Sequence, residues 1–422
     1  MQRRRLGIDP RLGQPHDVVQ CLCGAVPTVC IAVAHRRREP QARLPARRLG
    51  CLPGAPPPRA RRDARLSDDR VTRPAGMTAA NWRAHPYAPW AFRNVAAFLP
   101  VATVPAGRAT PLPDGRPLDG VDLAGTHVDG LIVVHRGAVV QETYAEGMTA
   151  ATRHLCFSVT KSLVGLLAEL LIADGAIDPA ATADTLVPEL AGTAFGGATL
   201  RALLDMVDGV PFDETYADDS AQIHHYSKHF WGDGEGGVLA ALQALPSAAP
   251  GAGFAYRTAV SDVVGLMLER STNQPLEVLV ARHIWGPAGA ADDAHWVRDT
   301  GGRVIASAGF ACTLRDLARV GVWLLGLGGP AAASIARGGD RAAFAASGQC
   351  TRPGYSYRSH WWIDHAAGAW NALGVFGQRL HVVPDADLVI ARFGSHPVAS
   401  NVGTDALHAR AFAAVRAALE AQ

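Results

Sequence analysis

Hydrophobic and polar positions follow two different periods along this chain. Gly130-Leu131-Ile132-Val133-Val134 is an unbroken apolar run, and Ala138-Val139-Val140-Gln141-Glu142-Thr143-Tyr144 follows it across His135-Arg136-Gly137. Two short β-branched runs around a Gly-containing link predict a β-hairpin. An apolar helix, Leu163 to Leu171, comes next, and the pattern stays mostly helical through Leu200 to Met206, Gly237 to Leu245, Ala259 to Arg270 and Leu314 to Leu327. Strand patterns return at Ser359 to Ile363, Gln378 to Val383 and Leu388 to Phe393, the last two joined by Pro384-Asp385-Ala386-Asp387. A final helix runs from about Thr404 to Glu420. Strands at both ends around a helical insertion predict an α+β fold: one central antiparallel sheet flanked by helices, with an α-helical lobe beside it. A catalytic site belongs in the cleft between them. The segment from Asn81-Trp82-Arg83 to Phe98-Leu99-Pro100, aromatic and punctuated by proline, is expected as a strap on the outside of the domain.

Composition divides the chain. At 422 residues, 48% hydrophobic and 18% charged, it is long enough for a sizeable core in one large domain or two. Residues 1–76 carry 16 Arg, no Lys and six acids, a net of +10 that leaves −8 on the rest against the overall +2. A mildly acidic body argues against a nucleic-acid-binding core. The first 76 residues hold three Arg clusters, Pro56-Pro57-Pro58 and four of the seven cysteines, with no sustained period. Such a segment is expected not to order itself: it reads as an unstructured extension or upstream translated sequence, and the globular domain as residues 77–422. The apolar run Val18 to Ala34 is short for a span, contains Pro27 and is preceded by Asp9 and Asp17, while Arg3-Arg4-Arg5-Leu6 is only a loose twin-arginine look-alike. Cys21, Cys23, Cys30 and Cys51 have no metal spacing, and the scattered Cys156, Cys312 and Cys350 suggest reduced thiols. The expectation is a cytoplasmic protein without a metal or a membrane span.

The chemistry is carried by His154-Leu155-Cys156-Phe157-Ser158-Val159-Thr160-Lys161-Ser162, a loop running into the apolar helix. Ser158 is expected at or near the helix N-terminus with Lys161 one turn on, sharing its face. A serine hydroxyl becomes a nucleophile when a neighbouring base takes its proton, and free N–H groups at a helix start can steady an oxyanion. Ser-x-x-Lys alone is common, and its plain reading is an N-cap followed by a surface lysine. A census decides for chemistry: of 40 basic residues only Lys161 and Lys228 are lysine. A lysine kept against that bias suggests a position where an always-protonated guanidinium fails and a partly buried amine can act as base. Tyr256 stands between Pro250-Gly251-Ala252-Gly253 and an apolar helix. It is either core or a proton relay whose pKa Lys161 lowers. In Gly374-Val375-Phe376-Gly377-Gln378 the glycines either make a turn or bulge, or let a backbone N–H approach a scissile carbonyl as the second oxyanion donor.

Ser158-x-x-Lys161, the motif at Tyr256 and the late Gly-rich strand together resemble the serine β-lactamase and penicillin-binding superfamily, in the branch of class C enzymes, family VIII esterases and 6-aminohexanoate-dimer (nylon oligomer) hydrolases. The last group is the nearest in pattern. The likeness runs from Asn81 onward through Asp129-Gly130-Leu131-Ile132-Val133, Arg153-His154, Tyr216-Ala217-Asp218, Gly309-Phe310, Leu314-Arg315-Asp316-Leu317-Ala318-Arg319, Trp361-Trp362 and Gly377-Gln378. It implies a β-lactamase-like fold and these roles: Ser158 the acylated nucleophile, Lys161 and Tyr256 sharing the proton work, and the N–H groups of Ser158 and Val375 forming the oxyanion hole. It also implies Tyr216 on a loop closing over the substrate near the amide nitrogen, Trp361 lining the pocket, and Gly377 in the oxyanion and substrate region. Tyr216, among Asp213, Glu214, Asp218 and Asp219, reads equally as an exposed loop residue, and Trp361 as core.

The departures narrow the substrate. Tyr256-Arg257-Thr258 lacks the Asn or Ser usual in third place, Val260 stands where the nylon-type pattern has Asn, and the Lys-Thr-Gly triad is replaced by Gly368-Ala369-Trp370-Asn371. Without that lysine a penicillin carboxylate loses its cation. The expected activity is that of a serine hydrolase of carboxylic esters or small linear amides, with no metal or organic cofactor, no nucleic-acid partner and an open oligomeric state. The alternatives are a D-amino-acid-specific peptidase or weak β-lactamase, and a non-catalytic binding protein of the same fold.

Overall fold

Arg136 and Gly137 both adopt positive φ, 51° and 77°, the two-residue turn whose twist matches right-handed strands. It closes β2 (Val128–His135) on β3 (Ala138–Tyr144) as an antiparallel hairpin; β1 is Val101–Val104. Further along come β4 (Arg153–Leu155), β5 (Ala294–Val297), β6 (Phe310–Thr313), β7 (Tyr355–Arg358), β8 (Trp361–Asp364), β9 (Ala369–Gly374), β10 (Gln378–Val383) and β11 (Leu388–Gly394). Seven strands form one antiparallel sheet in the order β3-β2-β11-β10-β9-β8-β7, with the sheet's last strand in sequence, β11, beside its first, β2. The computed structural model that shows this describes residues 72–118, 125–216, 218–232, 234–245, 253–347 and 352–422. The readings made for residues 1–71 and for Cys350 lie outside the described residues.

The apolar run of β2 has no polar alternation because both faces of the sheet are covered. Leu131 and Val133 pack with Phe412, Val415 and Leu419 of the C-terminal helix Val402–Glu420, while Ile132 and Val134 face the main core. The helix Leu314–Gly326 lies on that inner face, where a Cβ on Gly321 would stand 2.5 Å from Val389. Among the described residues no single helix is long and apolar enough to cross a membrane. The bent pair Leu314–Gly326 and Gly329–Arg337, at 98°, passes on length and composition alone.

Two expectations need correction. A second sheet, four-stranded in the order β1-β5-β6-β4, accompanies the first; its strands are three or four residues long, too short to display a period. The segment from Asn81 is not an outer strap, since Trp82 and Phe92 are completely buried.

Between the large sheet and the helical lobe (residues 183–280) lies the helix Val159–Ala173, buried along most of its length and beginning four residues before the apolar run suggests. Its first turns are gripped by the β7–β8 connection. Ser162 Oγ donates to the His360 carbonyl at 2.7 Å, the Trp361 indole donates to the Ser162 carbonyl at 3.0 Å, and His360 Nδ1 bonds the Lys161 carbonyl at 3.1 Å. Gly165 makes this approach possible, because a Cβ there would lie 1.9 Å from the Ser359 carbonyl oxygen.

Candidate active site

The approach to Ser158 is strained. Phe157 has φ 45°, a left-handed conformation that costs an aromatic residue on the order of 1–3 kcal/mol and persists only where the surroundings over-determine it. Here they do. Its ring packs against Phe92 at 4.8 Å, Phe376 at 5.1 Å and Trp231 at 6.2 Å, and stacks on Trp82 at 6.5 Å. The Cys156 N–H donates to the Phe310 carbonyl, continuing the β4–β6 pairing to the last residue before the turn. Ser158 then takes the N-cap position without a side-chain cap bond, 8% exposed at the cleft floor.

Lys161 Nζ stands 2.9 Å from Ser158 Oγ and donates to the Ser307 carbonyl at 2.8 Å. The side chain is essentially sealed from water, and burial pulls its pKa down to about 8, against the partial opposition of Glu214 and Asp262. Close to neutrality the amine therefore exchanges between ammonium and a free base whose lone pair faces the serine hydroxyl. Asp262 anchors the arrangement from behind: its carboxylate accepts from the Ser307 N–H and from the Tyr226 hydroxyl, each at 2.9 Å. Burial pushes Asp262 up to about 6, with the bonds from Ser307 and the charge of Lys161 holding it from rising further.

Tyr256 meets both partners. Its ring lies 5.4 Å from Lys161 Nζ, and Ser158 acts on its phenol. The expectation that Lys161 lowers its pKa is not met. Burial, and after it the charge of Glu214, push the phenol up, while Ser158 and Arg352 oppose. Tyr256 is thus a neutral phenol that can pass a proton but does not start as a phenolate. Glu214 escaped the sequence reading because its neighbours predict a solvated loop. It folds inward, accepting from the Thr258 N–H and hydroxyl and from the Tyr216 hydroxyl at 3.0 Å. Thr258 therefore holds the carboxylate to which Tyr216 donates. Asp262 left a fainter sign, an acid in the apolar first half of the helix Thr258–Thr272.

At the opposite wall the Gly374–Val375 peptide comes so close to the nucleophile turn that a Cβ on Gly374 would lie 2.6 Å from the Cys156 carbonyl oxygen. Asn401 Nδ2 donates to the Gly374 carbonyl at 2.9 Å. In a trans peptide the N–H points opposite the C=O, so the Val375 N–H is turned away from Asn401, and Val375 lines the same cavity as Ser158. Gly377 does not share this place. Its φ is 93°, its carbonyl accepts from Arg392, and a Cβ on it would collide with Arg392 and His396 behind the wall. Trp361 is likewise displaced from the pocket to the core, fully buried and bound to Ser162. Alternation on β8 gives the other face to Trp362, which stacks on Tyr256 at 5.4 Å under the Arg352 guanidinium.

Ser158, Lys161, Tyr216, Thr258 and Val375 line one cavity of about 270 Å³. A cavity of about 310 Å³ between the C-terminal helix and β7–β10 contains none of them. Among the described residues no group of His, Cys, Asp or Glu is placed to hold a metal ion.

A Ser-x-x-Lys helix start between an antiparallel sheet and a helical lobe defines a class of hydrolase, and comparison with known proteins agrees. The chain belongs to the beta-lactamase family, whose model matches residues 121–414. It is 30% identical over 349 residues to the 6-aminohexanoate-dimer hydrolase of Paenarthrobacter ureafaciens, spanning 76% of this chain and 88% of that protein. A solved structure from Bacillus anthracis, provisionally named a 6-aminohexanoate-dimer hydrolase, superposes with a TM-score of 0.73 at 26% identity, over 82% of this chain and 97% of that one. EstCE1, a hydrolase with promiscuous acyltransferase activity, shares the fold at a TM-score of 0.53 and 17% identity, over 69% of this chain and 93% of its own. The protein is a hydrolase of β-lactamase-like fold.

Proposed function

We propose that the protein, in its domain 77–422, is a serine hydrolase that cleaves carboxylic esters or small linear amides through an acyl-enzyme on Ser158. The observation that carries this reading is the buried Lys161 amine, 2.9 Å from Ser158 Oγ with its pKa brought to about 8. Unprotonated Lys161 takes the hydroxyl proton as Oγ bonds to the carbonyl carbon. The Ser158 and Val375 N–H groups receive the oxyanion. As the C–O or C–N bond breaks, Tyr256 gives its proton to the leaving group and is replenished from the Lys161 ammonium; with an amide, the Tyr216 hydroxyl serves the departing nitrogen. Water then repeats the sequence on the acyl-enzyme and frees the acid.

Linear amides are included because the Paenarthrobacter relative is named for the 6-aminohexanoate dimer. Cys156 and Cys312, both buried and unjoined with Sγ atoms 3.6 Å apart, support a reducing, cytoplasmic setting. Hydrolysis of a panel of p-nitrophenyl esters, linear amide oligomers and nitrocefin by wild type and Ser158→Ala tests the reading. Turnover of the first two and little of nitrocefin is expected, with all of it lost in the variant. Turnover surviving Ser158→Ala would overturn it.

A further inference from the structure

The cavity of about 310 Å³ between the C-terminal helix and β7–β10 has a charged floor under apolar walls. Arg379 and Asp405 lie on the floor, 7% and 6% exposed. Arg379 Nη2 donates to Asp405 Oδ1 at 2.7 Å, and Arg352 pairs with the other oxygen of the same carboxylate. Arg379 Nε, by contrast, is buried with no hydrogen-bond partner among the described residues. His381 beside it bonds Asn371 Oδ1 through Nδ1 at 2.6 Å, and burial holds it down at about 4, so the imidazole is neutral. The other acids of the lining are engaged at the rim. Glu420 accepts from Arg416 at 2.8 Å, and Asp364 accepts from the Ala366 and Ala367 N–H groups at 3.0 Å. Leu373, Val383 and Phe412 supply apolar wall. A guanidinium N–H shut away from water is costly unless a ligand brings its acceptor, and the volume is that of a small-molecule site.

Arg352 joins this cavity to the catalytic cleft. Its guanidinium lies 4.6 Å over the Trp362 ring, which in turn stacks on Tyr256 at 5.4 Å. Its charge is one of the influences that oppose the rise of the Tyr256 phenol.

We propose that the cavity is a second, non-catalytic site for a small aliphatic carboxylate, bound head-first on Arg379, and that its occupancy slows the catalytic site through Arg352 and Trp362. Arginine suits the head, because its planar fork takes a carboxylate bidentately, and the tail lies along Leu373, Val383 and Phe412. A carboxylate on Arg379 stands beside Arg352, since both guanidiniums reach the one Asp405. Its negative charge offsets that of Arg352, which leaves the Tyr256 phenol a weaker acid and lowers kcat. The acid released by the hydrolysis proposed above is of this class, so the slowing rests on the serine-hydrolase reading, whereas the binding does not.

Calorimetric titration of the full chain with hexanoate, hexan-1-ol, acetate and inorganic phosphate reads the site without turnover. Hexanoate should bind about tenfold or more tighter than hexan-1-ol, which lacks the head, and than acetate and phosphate, which lack the tail. Ala413, exposed on the C-terminal helix, lines the cavity; Ala413→Phe fills it and should weaken hexanoate by about tenfold or more, while Arg379→Gln should erase the preference over hexan-1-ol. Equal binding of hexanoate and hexan-1-ol, equal binding of hexanoate and phosphate, or hexanoate affinity unchanged in Ala413→Phe would overturn the site. With ethyl butanoate, whose leaving group needs a proton, saturating hexanoate should lower kcat about fivefold, at the small end of couplings between sites. KM should stay unchanged, and the slowing should vanish in Ala413→Phe. A rise in KM alone would place hexanoate in the catalytic cleft and overturn the coupling. If wild type hydrolyses no ester or amide, the serine reading falls alone, and the titration still decides the site.

Discussion

Lys161→Arg retains a positive charge but places a bulkier group, protonated at every working pH, where a base is needed. Loss of kcat by about 10³-fold or more is expected, roughly 4 kcal/mol of barrier, with the fold intact by circular dichroism. The neutral fraction of Lys161 grows as pH rises past its lowered pKa, so wild-type kcat/KM should increase through about pH 8 and level off above it. Asp262 favours the ammonium form, and Asp262→Asn should move that inflection to lower pH; an unmoved inflection would mean that another group limits the rate. Tyr216→Phe should slow amides far more than p-nitrophenyl esters, whose leaving group departs with little protonation. Equal slowing would remove its role at the nitrogen. At this scale the sequence displayed Ser158 and Lys161 clearly, through spacing and the scarcity of lysine. It hid Glu214 and Asp262, since neither an inward-turned loop acid nor a second-layer anchor has a local pattern. Trp361 stayed open between pocket and core because adjacent strand residues face opposite ways, and the sequence alone does not say which face turns inward.

Among the secondary-structure elements, the nucleophile helix and the β7–β8 connection act as one unit. A helical Gly→Ala change ordinarily gains about 1 kcal/mol from propensity, but at Gly165 the new methyl would meet the Ser359 backbone at 1.9 Å. Overpacking of this kind costs about 1–3 kcal/mol or more and wins. Gly165→Ala should lower the melting temperature by several degrees, measured by calorimetry, whereas a rise would show that the two backbones are less tightly apposed. Asn401→Ala, which frees the Gly374–Val375 peptide, should reduce kcat about tenfold or more with smaller change in KM, as expected when one oxyanion donor is poorly aimed. The β2–β3 hairpin, the longest helices, β10 and β11 were legible from apolar or periodic runs of five residues or more, whereas β7 and β9 were not read as strands. The strands of the small sheet were not, and the buried place of Trp82 and Phe92 is set by contacts with Phe157 that lie far off in sequence.

For the molecule as a whole, the Arg/Pro-rich composition of residues 1–76 leads to the expectation that they add nothing to the core, so a chain starting at Met77 should keep its activity and melt within a degree or two of the full chain; a loss of several degrees would show that the segment packs on the domain. The order strands, helices, strands announced an α+β architecture with the cleft between its parts, and the chain's membership of the beta-lactamase family agrees with it. What that order could not convey is how the cleft is furnished: a sealed Lys161 and a neutral Tyr256 both depend on burial, which arises only when the sheet and the lobe close on the central helix. The covalent role of Ser158 is the claim on which the rest depends, and intact-protein mass spectrometry after reaction with a fluorophosphonate tests it most directly. The account predicts one adduct per chain, mapped by peptide sequencing to Ser158, absent from Ser158→Ala and formed far more slowly in Lys161→Arg. No adduct on the folded wild-type protein, or an adduct on another residue, would contradict it.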